Sequence, residues 1–323
     1  MGCEAPKEGK LKFNGPAMTR CTLGDISRPA QPKLTTLVHL AYGRARPGTM
    51  MIGRRELFLW LACILLANQL IRIDAFSSMS GLLEALLPML MGKDVFYYLG
   101  WYAVLSLLFE SRPEPRSGRT DIAVVLLIAL LNFLPDHAGR WPWLSTTAMG
   151  LFVLATSQGD GKLKAAATVL LALAINGFWG PTIFEIFAFQ LLLADAALVG
   201  TALSATQPGM GWNETIIGMA DGHRVLIYGP CSSFHNISLG LLCWVTLTKL
   251  IRTTWVVPDI LVALVVCATV ILLNGSRLYL MALSPDQFTY WHDGFGEQVF
   301  AWGTTFAVLL ITLWGALRLG RAT

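Results

Sequence analysis

An all-α polytopic membrane protein of about eight transmembrane helices is the fold class that three observations predict. Hydrophobic residues make up 54% of the 323 and charged residues only 14%, where a soluble domain carries roughly a quarter charged. The mean hydropathy is +0.57, and the apolar residues arrive in long blocks separated by short polar breaks, as helices crossing a bilayer require. Basic residues recur in alternate connections between those blocks. The net charge of +4 is modest, and its placement says more than its sum; no nucleic-acid partner is expected.

Residues 1–50 are polar, rich in Pro and Gly and without periodicity, which predicts a disordered cytoplasmic extension ahead of a single integral-membrane domain, residues 51–323. Met50 or Met51, just before Arg54 and Arg55, is an alternative start to Met1. The opening MGCEAP lacks the downstream Ser or Thr of a myristoylation signal. No cleavable signal peptide is expected, because the first apolar run begins only near Leu57. The expected spans are roughly 57–73, 95–109, 121–135, 143–157, 164–178, 231–250, 256–276 and 299–317. Residues 82–91 carry Glu84 and Pro88 and are too short to cross, and residues 181–203 carry Glu185, Gln190 and Asp195, which is costly at bilayer depth. Both are expected to be interfacial or re-entrant helices.

The basic clusters test this count. Arg54 and Arg55, then Arg112, Arg116 and Arg119, then Lys162 and Lys164, then Lys249 and Arg252, and finally Arg318 and Arg321 occupy alternate connections. Eight spans with both termini inside place every cluster in the cytoplasm, as the positive-inside rule requires. A ninth crossing at 181–203 would move the last two clusters outside. The eight-span topology then gathers Cys231, Arg277 and His292 on the extracytoplasmic side. Just before Cys231, ETIIGMADGHRVLIY predicts two short strands joined at Asp221-Gly222, a favoured hairpin pair.

The six cysteines, Cys3, Cys21, Cys63, Cys231, Cys243 and Cys267, show no C-x-x-C spacing, so neither a metal site nor a disulfide framework is expected. Cys231 alone sits at a boundary between polar and apolar sequence. It is either a small residue at a helix start or a nucleophile activated by the helix dipole. Arg277 lies between apolar runs, where it either snorkels to headgroups or serves a site; facing Cys231 it would stabilise a thiolate or an oxyanion. His292, before the last span, is the candidate acid/base group. Adjacent Asp293 is not assumed to pair with it, since neighbouring residues point differently. His235 is the rival, four residues after Cys231 and on the same face of a helix that would start there.

YGPCSS, NGSR and WHDGFG, in that order, resemble the Cys, Arg and His motifs of the exosortase/archaeosortase family, with the likeness best over residues 180–300. That resemblance implies a multi-spanning cysteine protease, proposed to be a transpeptidase, in the cytoplasmic (inner) membrane. It implies exported protein substrates carrying a C-terminal motif, a transmembrane helix and a basic tail, and needs no cofactor. Carried over, Cys231 is the nucleophile, Arg277 the electrostatic partner and His292 the acid/base group. Cys-Ser-Ser stands where the family usually has Cys-Ser-Gly, so Ser233 bears on how closely a substrate backbone approaches. The other classes in play are a membrane lipid-modifying acyltransferase using the same cysteine, and a transporter or scaffold in which that cysteine is incidental. The topology predicts that impermeant thiol reagents label Cys231 on intact cells while a cysteine placed at Ser117 stays protected; the reverse pattern would remove the site.

Overall fold

The computed structural model describes residues 53–70, 95–112, 117–132, 134, 140–157, 159–219 and 222–320. The expected extension over residues 1–50 and the expected helix at 82–91 lie outside them. Helices form where the apolar blocks predict: α1 (Arg54–Leu70), α2 (Val95–Glu110), α3 (Arg119–Leu131), α4 (Trp141–Thr156), α5 (Gly161–Ala174) and α6 (Gly180–Thr206). A sheet of β1 (Met210–Asn213), β2 (Ile216–Met219) and β3 (Arg224–Leu226) follows. The chain ends with α7 (Ser233–Ile251), α8 (Pro258–Leu283), a short α9 (Pro285–His292) and α10 (Phe295–Gly320). Four helical stretches are long and apolar enough to cross a membrane: Gly161–Thr206, Ser233–Ile251, Pro258–Leu283 and Phe295–Gly320, with Val95–Glu110 apolar but shorter.

One end of the bundle collects the basic clusters. Arg54 opens α1 and pairs with Asp121 at the start of α3 (3.2 Å), and it also donates to the Thr156 carbonyl at the end of α4 (3.2 Å). Lys162 in the first turn of α5 pairs with Glu110, the last residue of α2 (2.6 Å). Asp160 caps α5, accepting from Lys162 N (2.9 Å) and Leu163 N (3.2 Å) while also holding Arg112 N (2.9 Å). Arg252 and Asp259 form a buried ion pair in the turn between α7 and α8. Thr253 of that turn stands beside Gly161, and Ile251 beside Gly320 at the end of α10, so α1, α2, α3, α4, α5, α7, α8 and α10 alternate in direction. Between the ends, the core is apolar: Phe58, Leu61 and Leu65 of α1 join Trp101, Val104 and Leu108 of α2, Leu170 and Leu173 of α5, and Leu239, Val266 and Val308 of the later helices.

Two expectations are corrected at the opposite end. The span at 164–178 and the separate helix at 181–203 are one continuous 46-residue helical stretch, about 69 Å at 1.5 Å per residue, more than twice the ~30 Å hydrocarbon core. Pro181 lacks the N–H that an unbroken α-helix uses; the chain widens into a π-turn at Ile175–Trp179 just before it rather than stopping. A second bend falls at Phe187, whose backbone is non-helical (φ −112°, ψ 18°). α6 thus starts beside α7, with Phe184 against Phe234 (ring centroids 5.9 Å), and its later part lies on α8, where Val199 neighbours Gly275.

The second correction concerns the sheet, which has three strands and not two. β2 and β3 pair antiparallel with Ile217 opposite Val225, and β1 adds on the far side of β2, with Trp212 opposite Ile217; Asp221 of the expected turn lies outside the described residues. Ile217, Val225 and Ile227 point inward onto Ala196, Val199 and Leu203 of α6 and Leu278, Met281 and Ala282 of α8, with Cys231 in the same cluster. Trp212 crosses α6 where Gly200 leaves room: a Cβ there would meet Trp212 Cβ at 2.5 Å. Gly200→Ala is expected to destabilise the protein by about 1–3 kcal/mol through overpacking, read as a lower midpoint of thermal unfolding in detergent.

Candidate active site

Cys231 does not open a helix. It ends a 3₁₀ turn, Gly229–Cys231, and the next residue, Ser232, is the extended N-cap of α7 (φ −70°, ψ 143°), its hydroxyl accepting from Phe234 N. The interruption has a direct consequence for His235. With Cys231 outside the helix the four-residue spacing no longer puts the two side chains on one face, and His235 is exposed. The structure does not bring His235 to Cys231.

What holds the turn is a buried carboxylate that sequence reasoning registered only as a cost. Asp195 of α6 accepts from Ser233 N (2.9 Å) and from Ser232 Oγ (3.1 Å). Its carboxylate lies at the positive end of the α7 dipole, where an anion is stabilised, and it takes up the Ser233 N–H, which no helical carbonyl serves. From the other side, Asn274 Nδ2 of α8 donates to the Cys231 carbonyl (2.9 Å) and to Ser233 Oγ (3.1 Å). The Cys-Ser-Ser departure is thereby explained: the Ser233 side chain is buried and bonded to Asn274, part of the scaffold and not of an open surface. Ser232 caps α7 and donates to Asp195, while the Ser233 hydroxyl accepts from Asn274.

Arg277 lies on α8, one turn beyond Asn274. Its Nε donates to the Trp291 carbonyl (2.9 Å) and its Nη2 stands 3.9 Å from Glu297, so α8, α9 and α10 meet at this guanidinium. It also lines a cleft of about 250 Å³ together with Asn236, Asn274, Glu297, Thr304 and Thr305. His292 ends α9. Its Nδ1 lies 2.7 Å from Asp293 Oδ1, a pairing the sequence left open: Asp293 follows the helix and its carboxylate folds back to the ring. Phe288 stacks on the imidazole (4.8 Å, 14°), and Nε2 faces the Tyr228 hydroxyl (3.3 Å).

Tyr228 is the residue the sequence motifs concealed. Its carbonyl accepts from Cys231 N (2.9 Å), and its hydroxyl meets His292 Nε2 (3.3 Å). A chain Cys231–Tyr228–His292–Asp293 results, Tyr228 lying just before the motif cysteine and Asp293 just after the motif histidine. The only sequence signal was position, since Tyr228 lies in the quoted YGPCSS itself. Cys231 is 5% exposed, and burial raises its thiol above the ordinary value, while the Arg277 charge and, after it, neighbouring Tyr228 pull it back down. So shielded a thiol is a poor target for a bulky impermeant reagent; exposed Asn213 of β1, at the same end, is the better position for the topology experiment.

The sign of the pH effect follows. A thiol raised by burial is mostly protonated near neutrality, so its reactivity should climb as pH rises toward and past the ordinary thiol range. Removing Arg277 deletes a charge that favours the thiolate, so Arg277→Gln should shift the profile to higher pH. The rate of iodoacetamide alkylation of Cys231 against pH checks both; an unchanged profile in Arg277→Gln would sever the electrostatic link.

The sequence model of the transmembrane exosortase family matches residues 91–315, extending well to either side of the 180–300 segment that carries the motif resemblance. No curated protein matches the chain, and no solved structure does. Since the match takes in more than half of the chain, including the Cys231 turn with its Asp195–Asn274 clamp, Arg277 and the Tyr228–His292 contact, this chain belongs to the transmembrane exosortase family.

Proposed function

We propose that this exosortase-family protein is a cysteine protease or transpeptidase that cleaves the C-terminal sorting signals of exported proteins at the outer face of the cytoplasmic membrane. The observation that carries the reading is one cluster: a clamped cysteine turn with Arg277 acting on the thiol and a Tyr228–His292–Asp293 chain beside it. Thiol, cation and imidazole are the parts that acyl transfer through cysteine requires.

In this reading the eight alternating helices each cross the bilayer, the basic end faces the cytoplasm and the Cys231 end faces outward. A substrate's C-terminal helix lies in the lipid against the bundle, its basic tail inside and its motif at the outer boundary. The thiol proton leaves toward His292, with the Tyr228 hydroxyl between them. The thiolate attacks the scissile carbonyl carbon, forming a C–S bond as charge moves onto oxygen, where the Arg277 guanidinium offsets it. As the C–N bond breaks, His292 gives its proton to the departing amine. The thioester is then resolved by water, giving cleavage, or by an amine acceptor, giving transfer.

The test is a processing time course on a reporter carrying the C-terminal signal of an exported protein from the same genome, at matched membrane levels. Cys231→Ala should remain folded and leave uncleaved reporter; normal processing by it would remove the cysteine mechanism. His292→Ala should lose on the order of 100- to 10,000-fold in rate, the scale of general acid–base catalysis. Arg277→Lys should be nearly as damaging as Arg277→Ala, because lysine offers a point charge in place of a planar fork. His235→Ala should process almost normally. Loss of activity in His235→Ala with a competent His292→Ala would reverse the acid/base assignment.

A further inference from the structure

β3 is the last strand of the sheet, and it leads directly into the cysteine turn. On its inner side it is fully paired: Val225 sits opposite Ile217, Met219 N donates to the His223 carbonyl (3.0 Å) and Ile227 N to the Thr215 carbonyl (2.9 Å). These bonds direct the backbone groups of residues 223, 225 and 227 toward β2. Antiparallel alternation then turns the N–H and C=O groups of Arg224 and Leu226 the other way, out of the sheet. Among the described residues, neither Arg224 nor Leu226 has a backbone bond on that outer side.

An open edge is normally blunted, by a bulge, a proline or a covering element, because it invites pairing with another chain. β3 has no proline and no bulge. Its side chains are equally open: Leu226 is 58% exposed and its ladder partner Ile216 is 37% exposed, an apolar pair beside the free edge. Tyr228, the next residue on the same face, is the one that contacts both Cys231 and His292.

We propose that an extended segment of the substrate polypeptide adds as a fourth strand along the outer edge of β3, bonding to the backbone of Arg224 and Leu226, and that this delivers the scissile bond to Cys231. The inference rests on the peptidase reading above and supplies its docking mode. Backbone bonds of this kind are indifferent to side chain, whereas alternate side chains meet pockets on one face. Ile216 and Leu226 therefore select an apolar side chain on the strand face they share. The extended geometry also exposes the scissile amide, which a helical segment keeps bonded to itself.

The probe is the same reporter, a soluble domain followed by an extended segment, an apolar helix and an Arg-rich tail. In a Cys231→Ala, Leu226→Cys background, single cysteines are placed in turn along the reporter's extended segment and disulfide trapping is measured, with Leu226 retained as control. Strand addition requires trapping at every second position, since side chains alternate across a strand. Uniform trapping along the segment, or none, overturns the docking mode. Cleavage by the wild-type chain is scored separately: alternating trapping without cleavage sinks the peptidase reading and leaves the docking intact, and cleavage without alternation does the reverse. A second arm uses Leu226→Pro, which removes only an outward N–H and suits an edge position. It should slow processing about tenfold, the worth of a hydrogen bond at the upper end of its usual range, with Cys231 alkylation unchanged, and by more than Leu226→Ala, which removes the side chain but keeps the N–H. Wild-type processing in Leu226→Pro would overturn the proposal.

Discussion

The carboxylate of Asp195 at the N-terminus of α7 is the interaction on which the rest of the site depends. A buried charge is tolerated only when it is fully bonded, and here the bonds come from Ser232 Oγ and Ser233 N. Charge-assisted bonds of this type are worth about 1.5–3 kcal/mol each, enough to fix a turn that would otherwise continue as helix. Because Ser232 is held as an extended cap, Cys231 is set outside the helix and its carbonyl is free for Asn274. α6, α7 and α8 are joined at one point, and that point is the backbone of Cys231.

The placement sets two opposing effects on the thiol. Packing Cys231 among Ile227, Leu278 and Met281 protects it but disfavours the thiolate; the Arg277 charge and neighbouring Tyr228 work in the other direction. Arg277 is itself held by the Trp291 carbonyl, so the residue that tunes the thiol is positioned by the segment that ends in His292. Cys231, Arg277 and His292 are thus mechanically coupled, through backbone atoms as much as through side chains.

The two ends of the bundle are built differently for physical reasons. The basic end is closed by ion pairs that tie helix termini together, Arg54 to Asp121, Lys162 to Glu110 and Arg252 to Asp259. The other end carries the sheet, the bent α6 and an apolar cluster of its own. A long helix that bends at a π-turn and again at Phe187 is what allows α6 to leave the side of α7 and lie over α8, forming the platform for β1, β2 and β3.

Hydropathy blocks and the alternation of basic residues determined the helical class and the grouping of Cys231, Arg277 and His292 at one end. These are properties of composition along the chain, each readable within a window of about twenty residues. The hairpin before Cys231 was legible for the same reason, since turn residues and alternation are local. What only the tertiary structure decided involves partners far apart: Asp195 with Ser232 across 37 positions, Asn274 with Cys231 across 43, Tyr228 with His292 across 64. The short-range readings were reset in the same way. The His235 alternative, four residues from Cys231, needed a regular helix between them until a carboxylate from another helix set the cap there. Residues 181–203, read as a helix of their own, continue the preceding helix through the bend at Phe187, which brings Asp195 to its partners. Spacing specifies which side chains share a face only if the backbone between them is regular, and here a distant contact makes it irregular.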